Sequence, residues 1–177
     1  VGKFKLEQVK PGKGKFPCPV TVRIDAPQAC AVFAGRLIRG VKNGPSPDWL
    51  QKRLKAIGIN PKNMLVDVTN YISFDRARPL HVYDAKKLTG GIHVRMGTAA
   101  DSFEALDGKT YSNLSEMCVI GDDSGAIGLG GIMGGATTAV AQDFTRAVLD
   151  VTAANYGMLL DRSVDFDPFR ALLDPVY

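Results

Sequence analysis

A short polar run and a histidine that follows it along the chain are the side chains best suited to chemistry in this sequence. Thr69 and Asn70 come directly after segment 65–68, in which three of the four residues are apolar and branched, and His81 lies further along, beyond Arg78 and Pro79. Branched apolar residues favour a buried strand, so Thr69 and Asn70 are predicted at the end of that strand, where polar groups are well placed for a ligand. Pro79 pushes Arg78 toward an extended backbone and leads the chain to His81. We therefore expect an amide and an imidazole in one polar site.

A cluster of glycines later in the chain is the second unusual feature, at Gly128, Gly130, Gly131, Gly134 and Gly135. A dinucleotide-binding fingerprint, G-x-G-x-x-G, does not fit, because three residues separate Gly130 from Gly134, and no P-loop Lys-Ser/Thr follows. Glycines also allow close backbone packing or positive φ. In addition, backbone without Cβ atoms can admit a substrate ring and offer N–H groups to a carbonyl oxygen, as ester hydrolysis requires. The cluster is thus predicted to combine packing with a pocket role.

Short strands are the elements that must position these residues. Strands are predicted at 20–24, 33–41, 91–96, 117–120, 126–129 and 148–151, with a hairpin at 103–111 on the Asp107-Gly108 turn. Because strands predominate and helices do not alternate regularly with them, the sequence predicts an α+β fold with mixed or antiparallel sheets and few helices.

The clearest helix is predicted to begin at Ser46-Pro47, with Ser46 as the cap and Pro47 in the first helical position. One apolar face is expected to hold Trp49, Leu50, Leu54 and Ile57, and Gly58 is expected to end the helix. Lys52, Arg53 and Lys55 cover the other side. These cations fit either a solvated helix face or a contact with RNA, and the sequence leaves both open.

Length and composition indicate one globular domain, since the chain has 177 residues and 45% of them are hydrophobic. Residues 1–15 are rich in lysine and glycine and are predicted to be a linker from a preceding domain, which leaves 16–177 as the domain. The net charge of +4 is compatible with a polyanionic partner. Neither the three cysteines nor His81 and His93 have metal-ligand spacing, and no membrane segment is evident. We expect a cytoplasmic protein without a metal.

Several strings in this order make the family recognisable: Asp67-Val-Thr-Asn-Tyr, then Arg78-Pro-Leu-His-Val-Tyr-Asp, then Leu106-Asp-Gly, then Gly130-Gly-Ile-Met-Gly-Gly. From about Phe16 to about Tyr156 the chain closely resembles the B3/B4 module of the bacterial phenylalanyl-tRNA synthetase beta subunit. The first and last strings are the most specific. The resemblance implies two intertwined sub-structures with an editing pocket between them, and it implies that the chain is a piece of a much larger subunit.

In that family the module hydrolyses tyrosine wrongly attached to tRNA(Phe), and the resemblance assigns roles to particular residues. It places His81 at the ester end of the pocket as the candidate catalytic residue, with Asn70 beside it and Gly134 and Gly135 as the pocket floor. Activation of the water by His81, by the substrate ester or by the tRNA ribose is left open. It places Asp150 as the residue that binds the tyrosine hydroxyl, where relatives usually have glutamate. The partners implied are tRNA(Phe), the alpha subunit and the remaining beta-subunit domains. No cofactor is expected for this module, because ATP and Mg²⁺ serve the synthetase elsewhere.

Two departures from the family pattern leave alternatives open. Ala136 stands where the family commonly has glutamate, and the tail 157–177 lacks the family's usual pocket-lining segment. The module is therefore expected to be an editing hydrolase, a catalytically degenerate scaffold or tRNA-binding module of the same subunit, or a stand-alone binder of an aromatic amino acid. His93 lies in an alternating strand pattern and is expected to be an ordinary cross-strand residue.

Overall fold

Short strands dominate the chain, as the sequence predicts. The computed structural model describes residues 16–77, 79–140 and 146–154, the last range as backbone only. In chain order the elements are β1 (Val22–Ile24), β2 (Cys30–Arg39), α1 (Asp48–Ala56), α2 (Met64–Arg76), β3 (Leu80–Asp84), β4 (Ile92–Met96), β5 (Ser102–Glu104), β6 (Thr110–Ser112), β7 (Cys118–Asp122), β8 (Gly125–Leu129), β9 (Met133–Gly134) and β10 (Arg146–Ala154).

These strands form a five-stranded sheet, a three-stranded sheet and a small hairpin. The five-stranded sheet has the order β1-β4-β7-β8-β9, in which β1 and β4 run parallel and the other pairs antiparallel. The three-stranded sheet, β2-β10-β3, is entirely antiparallel and has β10 at its centre. The predicted α+β class with mixed and antiparallel sheets is confirmed.

The hydrophobic core joins the two sheets. Its largest cluster combines buried residues of β2 and β3 with buried residues of β4, β7 and β8: Cys30, Phe33, Leu37, Tyr83, Ile92, Val94, Ile120 and Ile127. Burial of these side chains holds one sheet against the other, at roughly 1.5–3 kcal/mol for each large aliphatic or aromatic side chain. Helix α2 covers the outer side of β3, where Leu65 and Val66 pack against Val82.

Most of the predicted strands are confirmed, with ends that differ by a few residues. The Asp107-Gly108 turn does join two antiparallel strands, β5 and β6, and Gly108 has a φ of +79°. The Asp107 carboxylate accepts the Lys109 N–H at 3.0 Å and the Tyr111 hydroxyl at 3.0 Å, which closes the turn.

Helix α1 differs from its prediction at its N-terminus and in its buried face, whereas Gly58 ends it as predicted, with a φ of +82° and its N–H donating to the Lys55 carbonyl at 3.0 Å. It begins at Asp48 with Pro47 at the N-cap, and no side chain caps it. The Ser46 hydroxyl is used elsewhere, since it donates to the Asp67 carboxylate at 2.5 Å. Leu50 and Leu54 are buried as predicted, but Trp49 and Ile57 lie on the exposed side. Successive side chains are about 100° apart around the helix axis. Leu50 and Leu54, four residues apart, therefore lie on the same face and point to the core, whereas Trp49 points to a different side.

The segment that contains Asn70 is a helix, and the predicted strand at 65–68 is wrong. The Asn63 side chain accepts the Val66 N–H at 3.1 Å, which caps the N-terminus of α2, and Ala77 ends the helix in the left-handed conformation. Asp67 is fully buried in the first turn, where it accepts the Ser46 hydroxyl and the Lys62 N–H. A short apolar run does not distinguish a strand from a buried helix, and here the cap and tertiary contacts favour the helix.

Some predictions fall on residues that the structure does not describe. The predicted linker at 1–15, the divergent tail at 157–177 and the extended backbone at Arg78 all lie outside the described residues. The proposed division of the chain at residue 15 therefore stays a prediction.

Candidate functional site

A cavity of about 230 Å³ lies where α2, the three-stranded sheet and the five-stranded sheet meet. Its lining comes from α2, from β3 and the residue before it, and from β7, β8, β9 and the turn between β8 and β9. The lining residues are Asn70, Ser73, Pro79, Leu80, His81, Tyr83, Ile120, Gly128, Leu129, Gly131, Ile132, Met133 and Gly134. Three of the residues singled out in the sequence, Asn70, His81 and Gly134, are thus brought together.

His81 is held tightly on β3 by its neighbours. Its ring contacts Tyr83 edge to face, with 4.5 Å between ring centroids and 77° between the planes. A Cβ atom on Gly134 would lie 2.2 Å from Cε1 and 2.6 Å from Nε2 of His81, so the imidazole occupies the space that any other residue at 134 would fill. His81 Nε2 is buried and has no hydrogen-bond partner among the described residues. A buried polar atom of this kind needs a partner, which a ligand or a water molecule would supply.

Burial also keeps the His81 ring neutral at physiological pH. Desolvation lowers the pKa of His81 from 6.5 to about 4, because the charged imidazolium loses its hydration in the packed environment. A neutral imidazole has one nitrogen that donates and one that accepts a hydrogen bond. His81 can therefore accept a hydrogen bond from a water molecule or a hydroxyl group in the cavity.

Helix α2 contributes two polar side chains, Asn70 and Ser73, which are three residues apart and so lie on the same face. Asn70 comes from the helix body, not from a strand end. Thr69, predicted beside it at the ligand, is instead buried, and its hydroxyl donates to the Val66 carbonyl at 2.8 Å. Ser73 was not predicted from the sequence. Its position three residues after Asn70 becomes meaningful only once the segment is recognised as a helix.

The glycine cluster forms the β8–β9 hairpin, and this geometry excludes the strand-turn-helix arrangement of a dinucleotide site. Gly128 and Gly134 are paired across the hairpin, where a Cβ on Gly128 would lie 2.9 Å from the Met133 carbonyl oxygen. Close packing therefore requires glycine here. Gly135, predicted as pocket floor, is not among the lining residues. A Cβ there would lie 2.5 Å from the Ile127 oxygen, which accepts the Gly135 N–H.

The backbone register places Asp150 beside the cavity residues. Asp150 lies in β10, directly opposite His81 of β3 on one side and Gly35 of β2 on the other. The side chain of Asp150 lies outside the described residues. The positions of Asp150 and His81 in the sequence do not indicate that they are neighbours. Their proximity depends entirely on the pairing of β10 with β3.

The other histidine lies outside the cavity. His93, on β4, has its Nε2 3.3 Å from the Asp123 carboxylate and its Nδ1 3.3 Å from the Arg23 guanidinium. It is a cross-strand residue in a polar surface cluster, as predicted. Within the described ranges, no group of three or more His, Cys, Asp or Glu side chains could hold a metal ion, and no helix is both long and apolar enough to cross a bilayer.

Together these features define an α+β domain with a ligand-sized cavity between two sheets and a neutral histidine in its wall. A family model described as "B3/4 domain" matches residues 29–165. The chain belongs to the B3/4 domain family.

Similar proteins agree with this assignment. The phenylalanine–tRNA ligase beta subunit of Rhodopseudomonas palustris is 52% identical over 150 residues, which are 85% of this chain and 19% of that protein. The corresponding subunit of Bradyrhizobium diazoefficiens is 51% identical over 150 residues, again 85% of this chain and 19% of that protein. The chain thus spans about a fifth of the length of these curated relatives.

A solved structure also has the same fold. It is an N-terminal fragment of the phenylalanyl-tRNA synthetase beta subunit from Pyrococcus horikoshii, with a TM-score of 0.59 and 14% sequence identity. The match covers 82% of this chain and 46% of that chain. The architecture is therefore retained although most side chains differ.

Proposed function

We propose that this chain is the editing module of a phenylalanine–tRNA ligase beta subunit, and that it hydrolyses the ester bond of tyrosyl-tRNA(Phe) in the cavity beside His81. The observation that carries this proposal is His81 itself, which lines a cavity formed by both sheets and whose buried Nε2 has no hydrogen-bond partner among the described residues. Membership of the B3/4 domain family and similarity to beta subunits support the choice of reaction.

The proposed role of His81 is to hold the attacking water. A base with a pKa of about 4 is too weak to remove a proton completely from water at neutral pH, but its accepting nitrogen can orient the nucleophile. Asn70, which lines the same cavity from α2, is proposed to bind the ester end of the substrate. Gly134 leaves the space of its missing side chain to the imidazole, so that the ring can keep its place in the cavity wall.

Asp150 is proposed to recognise the tyrosine hydroxyl. A site that hydrogen-bonds a substrate hydroxyl can reject the analogue without it by a factor of roughly 10⁴ to 10⁵, because the polar groups of the site would be left unpaired. Such discrimination would spare correctly charged phenylalanyl-tRNA(Phe). The register of β10 with β3, which sets Asp150 opposite His81, supports this role.

The partners of the module follow from the same proposal. The substrate is tRNA(Phe) carrying tyrosine, and the alpha subunit and the other beta-subunit domains would complete the enzyme in the cytoplasm. ATP and Mg²⁺ would serve aminoacylation elsewhere in that enzyme. The module itself is proposed to work without a cofactor.

The experiment is a comparison of deacylation rates for tyrosyl-tRNA(Phe) and phenylalanyl-tRNA(Phe). The wild-type chain is expected to hydrolyse the tyrosyl ester selectively. His81→Ala is expected to lose most of this activity, and Asp150→Ala to lose selectivity for tyrosine. His93→Ala is the matched control, since it removes the other histidine of the chain, which lies outside the cavity.

A second function, that of a scaffold without chemistry, is favoured by one observation. Ala136 leaves only a methyl group where the family commonly has a carboxylate, and its N–H is bonded to the Glu104 carbonyl at 2.8 Å. Deacylation by the wild-type chain at the uncatalysed rate would support the scaffold and reject the editing module. Calorimetry with free tyrosine then separates a scaffold from an amino acid binder, because only the binder releases or absorbs heat at millimolar ligand.

A further inference from the structure

The hydroxyl group of Ser73 connects helix α2 to the start of strand β3. It donates to the Thr69 carbonyl at 2.8 Å, one turn earlier in the helix, and it accepts the Leu80 N–H at 3.1 Å. Leu80 is the first residue of β3, and His81 is the next. The hydroxyl therefore fixes the distance between α2 and the residue directly before the cavity histidine.

This bond has consequences for His81 because the imidazole has little freedom elsewhere. Tyr83 contacts one part of the ring, and Gly134 approaches so closely that no Cβ atom fits. A small shift of β3 along α2 would drive the ring into the Gly134 backbone or draw it out of the cavity wall. Among the described strands, β3 is an edge strand that pairs with β10. At its other edge, the Leu80 N–H bonds the Ser73 hydroxyl next to His81, and the Asp84 N–H at the far end of the strand bonds the Thr138 carbonyl.

We propose that Ser73 is a positioning residue for His81, acting through the bridge from the Thr69 carbonyl to the Leu80 N–H. The inference rests on the proposed editing function of the cavity. Ser73 also lines the cavity, and its bond to Leu80 holds α2, which carries Asn70, at a fixed distance from β3. One hydroxyl group thus fixes both polar walls relative to each other.

The first test observes His81 directly by NMR spectroscopy of the imidazole Cε1–H groups. The chain has two histidines, so His93 provides an internal reference. Ser73→Ala is expected to move the His81 resonance and leave that of His93 in place. Ser73→Thr is expected to retain the wild-type position, because a helical threonine can bond the carbonyl four residues earlier while its oxygen remains an acceptor. An unmoved His81 resonance in folded Ser73→Ala would overturn the proposal.

The second test measures the deacylation of tyrosyl-tRNA(Phe). Ser73→Ala is expected to lower kcat by roughly tenfold to a hundredfold with KM unchanged, since a displaced catalytic group affects the reaction more than ground-state binding. Ser73→Thr is expected to restore kcat. Tyr71→Phe is the matched control, because it removes a hydroxyl from the same helix that bonds Arg53 of α1 and not β3. A wild-type kcat in Ser73→Ala, or an equal loss in Tyr71→Phe, would contradict the proposal.

The role of Ser73 can also be tested if the Ser73→Ala variant does not fold or if the wild-type chain shows no deacylation. If Ser73→Ala does not fold, Ser73→Cys retains the side-chain volume with a weaker acceptor, and it is expected to shift the His81 resonance in the same direction. If the wild-type chain does not deacylate the substrate, the proposed function fails. The resonance of His81 still decides then whether Ser73 positions the ring.

Discussion

At the scale of single residues, the geometry of the site depends on the close packing of neighbouring residues around the His81 ring. Asn70, His81 and Gly134 could all be singled out from the sequence, because their types and the strings around them indicate a polar pocket. Ser73 could not, since a serine that follows a predicted strand has no distinguishing signal. The loss of hydration that makes His81 neutral also has no sequence signature, because it arises from Tyr83, Gly134 and the two sheets around the ring.

Gly134→Ala is expected to abolish most of the deacylation activity, because the new methyl group would lie 2.2 Å from Cε1 of His81 and displace the ring. The measurement is kcat for tyrosyl-tRNA(Phe), together with the circular dichroism spectrum to check folding. Gly44→Ala is the control, since a Cβ at Gly44 has no neighbour within 4 Å. Full activity in Gly134→Ala would mean that His81 is not constrained as described.

The stability of the folded chain is expected to fall as the pH is lowered from about 6.5 to about 4. The pKa of His81 is about 4 in the folded state and near 6.5 when unfolded, so the unfolded chain binds the extra proton in this window. The decrease in the free energy of unfolding that His81 causes in this pH range is about 3 kcal/mol at most. Urea unfolding across this pH range measures it. His81→Gln is expected to show a shallower dependence of stability on pH.

At the scale of elements, helix α2 is the main difference between sequence and structure. Hairpin β5–β6 and most other strands were predictable, because turn residues and alternating side chains are local signals. For α2, the branched apolar residues indicated a strand, but the Asn63 cap and contacts with distant groups favour a helix. The cap is a local signal that the apolar pattern outweighed. The contacts of Ser46 with Asp67 and of Val82 with Val66 are not visible in a short window of sequence.

Asp67→Ala is expected to destabilise the chain by about 3 kcal/mol, because the Ser46 hydroxyl and the Lys62 N–H lose a buried charged acceptor. Asp75→Ala, an exposed position on the same helix, is the control and should cost no more than about 0.5 kcal/mol. Equilibrium urea unfolding of the two variants measures both changes in the free energy of unfolding. Equal effects for the two variants would contradict the proposed anchor for α2.

At the scale of the whole molecule, the cavity exists only because two sheets are packed together. The order of strands in each sheet, and therefore the register of Asp150 opposite His81, depends on contacts between distant parts of the chain. Family resemblance implied a pocket between two sub-structures. Composition and periodicity alone indicated only an α+β domain with a glycine-rich segment, because neither reports which strands become neighbours.

A ligand in this cavity is expected to stabilise both sheets at once. With a non-hydrolysable amide analogue of tyrosyl-adenosine, amide hydrogen exchange should slow in β3 of one sheet and in β8 and β9 of the other, which all line the cavity. The phenylalanyl analogue should give weaker protection. Protection confined to one sheet would show that the ligand binds elsewhere.

The central position of β10 in the three-stranded sheet also determines when this protein can fold during synthesis. Both neighbours of β10, at Cys30–Arg39 and Leu80–Asp84, leave the ribosome long before Arg146–Ala154 is made. Until then each has an unpaired edge, and such edges promote aggregation. Nascent chains stalled before residue 146 should therefore depend on chaperones, whereas the β7–β8 hairpin can form as soon as it emerges.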